Sequence, residues 1–215
     1  MHKKKSLFIT FEGIEGSGKS FQCKKLVNNL RKKNISVILT REPGGTVGAE
    51  KIRKLILEDY FHSNFKEQFD KYTDTLLYLA ARNEHILHKI KPNLLKNKIL
   101  ICDRFIDSTI AYQVYGKHVD KEFVNCIHKH ILRTIKPDFT FILKVNINKA
   151  LKRLKKRKKV NRYDKFSKSF YINVQKAFIK IANTNKKKYL VLDNSKDSKD
   201  AENTILNKVL NILNK

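Results

Sequence analysis

Cysteine is scarce in this 215-residue chain. Cys23, Cys102 and Cys126 are odd in number and lack metal-like spacing, which excludes a disulfide framework and a cysteine-bound metal and fits reduced thiols in a cytoplasm. Long apolar runs are missing as well: none approaches the ~20 residues that a membrane-spanning helix needs. Met1 to Lys5 is basic, but Glu12 cuts short the apolar run behind it, which is not the pattern of a signal peptide. No internal repeat or long linker is visible. Acidic residues are few, 20 against 47 Lys and Arg, for a formal charge of +27. Nucleic-acid binders share such a balance. Here, however, lysine far outnumbers arginine, the lysines are spread along the whole chain, and Asn and Ile are plentiful. That pattern favours AT-rich coding written onto solvated helix faces over a nucleic-acid surface, while the charge still attracts polyanions such as nucleotides.

What is present begins with a hydrophobic content of 41%, enough for a core and against wholesale disorder. Length and content suit one α/β domain spanning 1–215. Glycine numbers only seven, yet six of these fall between positions 13 and 48. The first three belong to Gly13-Ile14-Glu15-Gly16-Ser17-Gly18-Lys19-Ser20, which fits G-x-x-x-x-G-K-[ST], the loop that wraps nucleotide phosphates. The apolar run Leu7–Phe11 precedes it as a strand, and the amphipathic stretch Phe21–Leu30 follows as a helix. That order points backbone N–H groups and a helix dipole at one place. Lys19 supplies a mobile cation, and the Ser20 hydroxyl can ligate Mg²⁺.

Further along, Ser36–Thr40, Lys98–Asp103, Phe139–Val145 and Tyr189–Leu192 read as strands. Helices are predicted over Ala49–Leu57, from about Tyr72 to Ile90 with an end before Pro92, over about Ser108–Ile135, and over Phe170–Ala182 and Ile205–Leu213. Alternating strands and helices predict a parallel five-stranded sheet covered on both faces, with ligands at the carboxyl ends of its strands. Ser17, Arg41, Asp103 and the stretch after Val145 should therefore converge on one cleft. Asp103 can hold the Mg²⁺ shell, and Arg104 can clamp a phosphate bidentately. Arg153 and Arg157 share a helix face at i, i+4 in a basic segment of roughly residues 148–165, which reads either as a plain solvated helix or as a mobile lid that brings an arginine to a transferring phosphoryl group. No Asp–His or Ser–His constellation stands out, and His85 and His88 read as surface residues on a helix.

From Phe8 to the last helix the chain resembles bacterial thymidylate kinases. The segments that carry the resemblance are Phe11–Ser20, Thr40-Arg41-Glu42-Pro43-Gly44-Gly45-Thr46, Ala80-Ala81-Arg82, Asp103-Arg104 through Ser108 to Ala111-Tyr112-Gln113, and Leu151-Lys152-Arg153. The resemblance implies a P-loop fold with a mobile basic lid, a homodimer, and transfer of the γ-phosphoryl group of ATP to dTMP with Mg²⁺. It places the acceptor phosphate on Arg53, Arg104 and Arg41. It sets Arg82 and Thr109 against the polar edge of thymine, with Gln113 nearby and Ser108 in the same element. Tyr78 stands where a stacking Phe is usual, and Tyr112 where a ribose 2′-hydroxyl is excluded. Glu15 would take the sugar 3′-hydroxyl or the metal shell, and Arg41-Glu42-Pro43 would hold a cis peptide bond. Gly16 stands where some relatives carry a catalytic arginine, which leaves that role to the lid, with Arg153 ahead of Arg157. Lys158 replaces a glycine usual after the lid arginines. Other acceptors on the same fold, a nucleic-acid-dependent ATPase and a regulator without turnover are the competing readings.

Overall fold

The computed structural model describes residues 6–59, 69–156, 162, 166–196 and 199–214. Its centre is a sheet of β1 (Leu7–Glu12), β2 (Val37–Arg41), β3 (Ile99–Asp103), β4 (Phe139–Lys144) and β5 (Tyr189–Asp193). The strand order is β2-β3-β1-β4-β5, and every neighbouring pair is parallel. β1 is buried along its whole length. That is why it reads as a continuous apolar run rather than an alternating one.

Side chains of β1 still alternate between faces. Leu7, Ile9 and Phe11 join Leu26, Leu30, Ile205 and Val209, from α1 (Lys19–Lys32) and α9 (Lys199–Leu213), in one core. Phe8 joins a second cluster with Ile86, Ile90 and Leu100. A third gathers Ile142, Tyr112, Val174 and Phe178 around α8 (Lys168–Asn183). Each large apolar side chain buried in these clusters contributes about 1.5–3 kcal/mol of transfer free energy. Helices therefore cover both faces. On the face of the second and third clusters the sheet also carries polar groups: Thr10 and Thr140 share a hydroxyl hydrogen bond of 2.8 Å, and Glu12 follows on the same side.

The remaining helices are α2 (Val47–Lys54), α3 (Lys71–His85), α4 (Lys91–Leu95), α5 (Ile106–Thr109), α6 (Lys121–Leu132) and α7 (Ile147–Lys155). One departs from the sequence expectation, and a second refines it. The helix expected to stop before Pro92 continues: α3 widens into a π-helical turn at Ile86–Ile90 and runs on as α4, with Pro92 in the first turn of that segment. A proline is tolerated there because its missing N–H falls where the bonding pattern changes, and the Asn93 side chain donates to the Lys89 carbonyl at 2.7 Å. The helical stretch expected from about Ser108 to Ile135 is present and is divided in two. α5 passes into a π-helical stretch, Ile110–Gly116, and a new helix starts at Asp120, whose carboxylate caps Phe123 N–H at 2.7 Å. Gly116 sits at the break. A Cβ there would lie 2.8 Å from the Phe170 ring, so only glycine lets α8 pack this close.

Candidate active site

Strands β1, β2 and β3 end on one side and deliver their following residues to a cavity of about 320 Å³. Every acceptor-side residue expected from the sequence lines it: Glu15, Arg41, Arg53, Tyr78, Arg82, Arg104, Ser108, Thr109, Tyr112 and Gln113. Lys19, Ser20 and Asp103 line it too. The cavity therefore joins the phosphate loop to the Asp103–Gln113 segment, two parts of the chain some ninety positions apart.

At the loop end, Lys19 Nζ donates to the Ile14 carbonyl at 2.7 Å and to Ser17 Oγ at 3.3 Å. Burial, with Arg104 nearby, pulls its pKa down to about 8, against the opposing pull of Asp103, Glu15 and Glu12. The Ser20 hydroxyl donates to Asp103. Gly16 has φ +71°, and a Cβ on it would fall 2.6 Å from the Ala150 carbonyl oxygen of α7. α7 thus excludes any side chain at position 16, and in the same contact it brings an arginine of its own. Arg153 Nη1 donates to the Gly16 carbonyl at 3.0 Å, and its guanidinium reaches the Asn194 carbonyl at 3.3–3.4 Å. Asn194, just past β5, ties the loop from the other side through Nδ2 to the Ser17 carbonyl at 2.7 Å. Arg157 and Lys158 lie outside the described residues.

Arg104 stands between the two ends. Its backbone takes the left-handed conformation, φ +74°, while its N–H bonds the Phe11 carbonyl at 2.9 Å. Such a conformation costs a non-glycine residue about 1 kcal/mol, and here it turns the guanidinium back across β1. Nη1 donates to the Gly13 carbonyl and to Ser108 Oγ, both at 2.9 Å, and Nη2 donates to Glu15 at 2.7 Å. The guanidinium also lies over the Tyr112 ring, 5.1 Å from its centroid, and the Tyr112 hydroxyl donates to Glu15. Burial pushes the Glu15 carboxyl upward, but Arg104 and Lys19 outweigh it and hold the group below its ordinary value. Behind Ser108 lies Glu12, fully buried. It accepts from Phe105 N–H at 2.7 Å and Ser108 Oγ at 2.6 Å, and burial beside Asp107 raises its pKa to about 7. Two further arginines edge the cavity. Arg53 donates to the Pro43 carbonyl at 2.7 Å, and Arg41 pairs with Glu50 at 3.1 Å. The Glu42–Pro43 peptide is cis.

At the far end Arg82 is only 2% exposed. Nε donates to Glu42 at 2.8 Å, Nη1 to Thr109 Oγ1 at 2.7 Å and to His128 Nε2 at 2.8 Å, and Nη2 to the Phe105 carbonyl at 2.7 Å. Because Arg82 donates to it, His128 Nε2 carries no proton, and burial beside that cation lowers its pKa to about 3. His85 corrects a sequence expectation. It is fully buried rather than on the surface, with Nδ1 3.0 Å from Glu42 and Nε2 2.6 Å from Thr40 Oγ1. His88 is exposed, as expected, and faces Glu84 at 3.6 Å.

Glu42 lines the cavity, and Glu12, His85, His128 and Asn194 contact the residues around it; none of the five was expected there from the sequence. Glu12 and Glu42 did carry a signal, since a carboxylate at the buried end of an apolar strand needs a partner. The histidines and Asn194 carried none, because their partners lie far away in the chain.

Fold and cavity together define a phosphate-loop nucleotide-binding protein of the α/β class. Its family follows from comparison: the model of a family described as thymidylate kinase matches residues 11–205. A thymidylate kinase of Mycoplasma capricolum is 38% identical over 95% of this chain and 94% of its own. One from the Wolbachia of Brugia malayi is 41% identical over 94% and 95%. The crystal structure of thymidylate kinase from Ehrlichia chaffeensis superposes with a TM-score of 0.74 at 35% identity, covering 97% of this chain and 99% of that one. The chain belongs to the thymidylate kinase family.

Proposed function

We propose that the chain phosphorylates dTMP to dTDP, with ATP as donor, in the supply of dTTP for DNA synthesis. One observation carries this reading: the phosphate loop and the Arg82–Thr109–Gln113 end open into the same cavity, so a donor and a pyrimidine monophosphate can meet without an enzyme-bound intermediate. The acceptor phosphate is mostly dianionic at neutral pH, since its second pKa is about 6. It needs no general base. An acceptor oxygen bonds to the γ-phosphorus, the bond from that phosphorus to the β,γ-bridging oxygen breaks, and ADP leaves with the electron pair. The protein's task is alignment and charge neutralisation.

Lys19 serves the donor phosphates. Arg104, Arg53 and Arg41 hold the acceptor phosphate, and Arg153, backed by Arg157, reaches the transferring group from the lid of about residues 148–165. Arg82, Thr109 and Gln113 read the base edge, Tyr78 stacks on the base, and Tyr112 closes the space a 2′-hydroxyl would need. The loop residues Gly13, Ile14, Glu15, Gly16, Ser17 and Gly18 wrap the donor. Ser20 and Asp103 are hard oxygen donors in mutual contact, the set Mg²⁺ takes beside phosphates and water. When bound there, Mg²⁺ neutralises the phosphate oxygens. The whole chain acts as one domain in the cytoplasm, and as a homodimer. Tyr72, Leu76 and Leu87, exposed on one face of the α3 run, support that assembly.

A coupled assay of ADP release against dTMP, dUMP, dCMP, CMP, AMP and GMP tests the reading. Selective turnover of dTMP is expected, and a preference for CMP or GMP overturns it. In the same assay Arg153→Ala should lower kcat by about 10² or more, with KM for dTMP little changed. If both Arg153→Ala and Arg157→Ala keep normal turnover, the lid arginines do not reach the reacting phosphate.

A further inference from the structure

Arg82 and His85 lie at i, i+3 on α3, so they face one way. Thr40 and Glu42 lie two apart at the end of β2 and face the helix. The four residues form a clasp. Glu42 Oε2 takes Arg82 Nε–H, Glu42 Oε1 takes His85 Nδ1, and His85 Nε2 is bonded to Thr40 Oγ1. All four are buried, with exposures of 2% for Arg82, 0% for His85, 5% for Glu42 and 6% for Thr40. We propose that the Thr40–His85–Glu42 chain is a positioning device: it locks Arg82 as an immobile donor and so sets discrimination between 4-oxo and 4-amino pyrimidine nucleotides.

A guanidinium has five N–H donors and no acceptor. Glu42, Thr109, His128 and the Phe105 carbonyl take four of them, which among the described residues leaves one Nη2–H. A pyrimidine whose C4 bears oxygen can accept that bond. One whose C4 bears an amino group presents a donor to a donor, and both are left unpaired in a buried site. The penalty is large only while the arginine cannot retreat. Thr109, His128 and Phe105 hold its Nη atoms, whereas the Nε edge depends on Glu42 alone. The carboxylate can turn about its last side-chain bond unless its second oxygen is fixed, and His85 is what fixes it. Loss of the His85–Glu42 bond should therefore loosen the arginine while leaving the fold and the phosphate loop untouched.

This proposal rests on the reading that Arg82 faces the base. The test compares kcat/KM for dTMP with that for dCMP in the full-length chain, in wild type, His85→Gln and His85→Asn. Asparagine places an amide N–H where Nδ1 stands and keeps the bond to Glu42. Glutamine places its amide near Nε2 and keeps only the bond to Thr40. His85→Gln is expected to lower the dTMP-to-dCMP ratio by about tenfold or more, through a higher KM for dTMP with kcat changed less than about threefold. His85→Asn should stay within about threefold of the wild-type ratio. Equal ratios in the two variants, or an unchanged ratio in His85→Gln, overturn the proposal. Should His85→Gln fail to fold, Thr40→Val removes the outer bond alone. A fall of about threefold is expected there, and an unchanged ratio is again fatal. If wild type itself does not prefer dTMP to dCMP, the fault lies in the parent reading of Arg82 instead.

Discussion

At the phosphate-loop end of the cavity, Lys19 is a buried cation whose pKa is drawn down to about 8, chiefly by burial. At the base-reading end, Arg82 is equally buried but bonded to a carboxylate, a hydroxyl, an imidazole and a carbonyl. The same problem, a positive charge in a protein interior, has been met in two ways. Lys19 is left incompletely compensated and therefore has most to gain from an arriving polyanion. Arg82 is compensated in advance, which makes it rigid and ties it to the fold. A charge kept for catalysis should cost stability, whereas a charge kept for recognition should be part of what holds the molecule together.

Two substitutions break that symmetry most sharply. Lys19→Met should lower kcat by about 10³ or more, since it removes the cation that meets the donor phosphates. Its unfolding free energy in urea should fall by no more than about 1 kcal/mol, or rise, because a desolvated ammonium is gone. Arg82→Met should instead lose about 3–5 kcal/mol of stability, because it takes the arginine from the buried Glu42 and leaves it the His85 bond. Equal stability losses for the two variants would erase the contrast between Lys19 and Arg82.

A smaller effect sharpens it through pH. His128 has a folded-state pKa of about 3, below its ordinary value of 6.5. Between those values the unfolded chain binds the extra proton, so stability is complete above the ordinary histidine range and is lost as pH falls toward 3. His128→Gln keeps an acceptor for Arg82 without the titration. Relative to pH 7, wild type should lose about 1–2 kcal/mol more than this variant by pH 5, measured by urea unfolding. Parallel pH profiles would mean that the imidazole is not what Arg82 donates to.

The phosphate loop was legible in the sequence because its demands are local. Glycines at fixed offsets, a strand before and a helix after are all set by backbone geometry, and they are written within about a dozen neighbouring positions. The parallel sheet was legible for the same reason, through short apolar runs at regular intervals. Boundaries were less so. Pro92 looked like a stop, and only the π-helical turn before it shows why it is not. The support of Arg82 was hidden. His85 is bonded to Glu42, and Glu42 and His128 are each bonded to Arg82, across the end of β2, α3 and α6, and no spacing rule connects residues on three elements. A histidine in a helix most often faces water, and nothing in the residues next to His85 marks it as an exception. Its burial becomes intelligible once Glu42 is seen to need a second donor.

The most direct measurement uses a single ligand in which adenosine and thymidine are joined 5′ to 5′ through a polyphosphate long enough to span both ends. Calorimetry should give one molecule bound per chain, with binding abolished by saturating ATP and also by saturating dTMP. A ligand displaced by only one of the two nucleotides, or bound twice per chain, would place the donor and the acceptor in separate sites and contradict direct transfer.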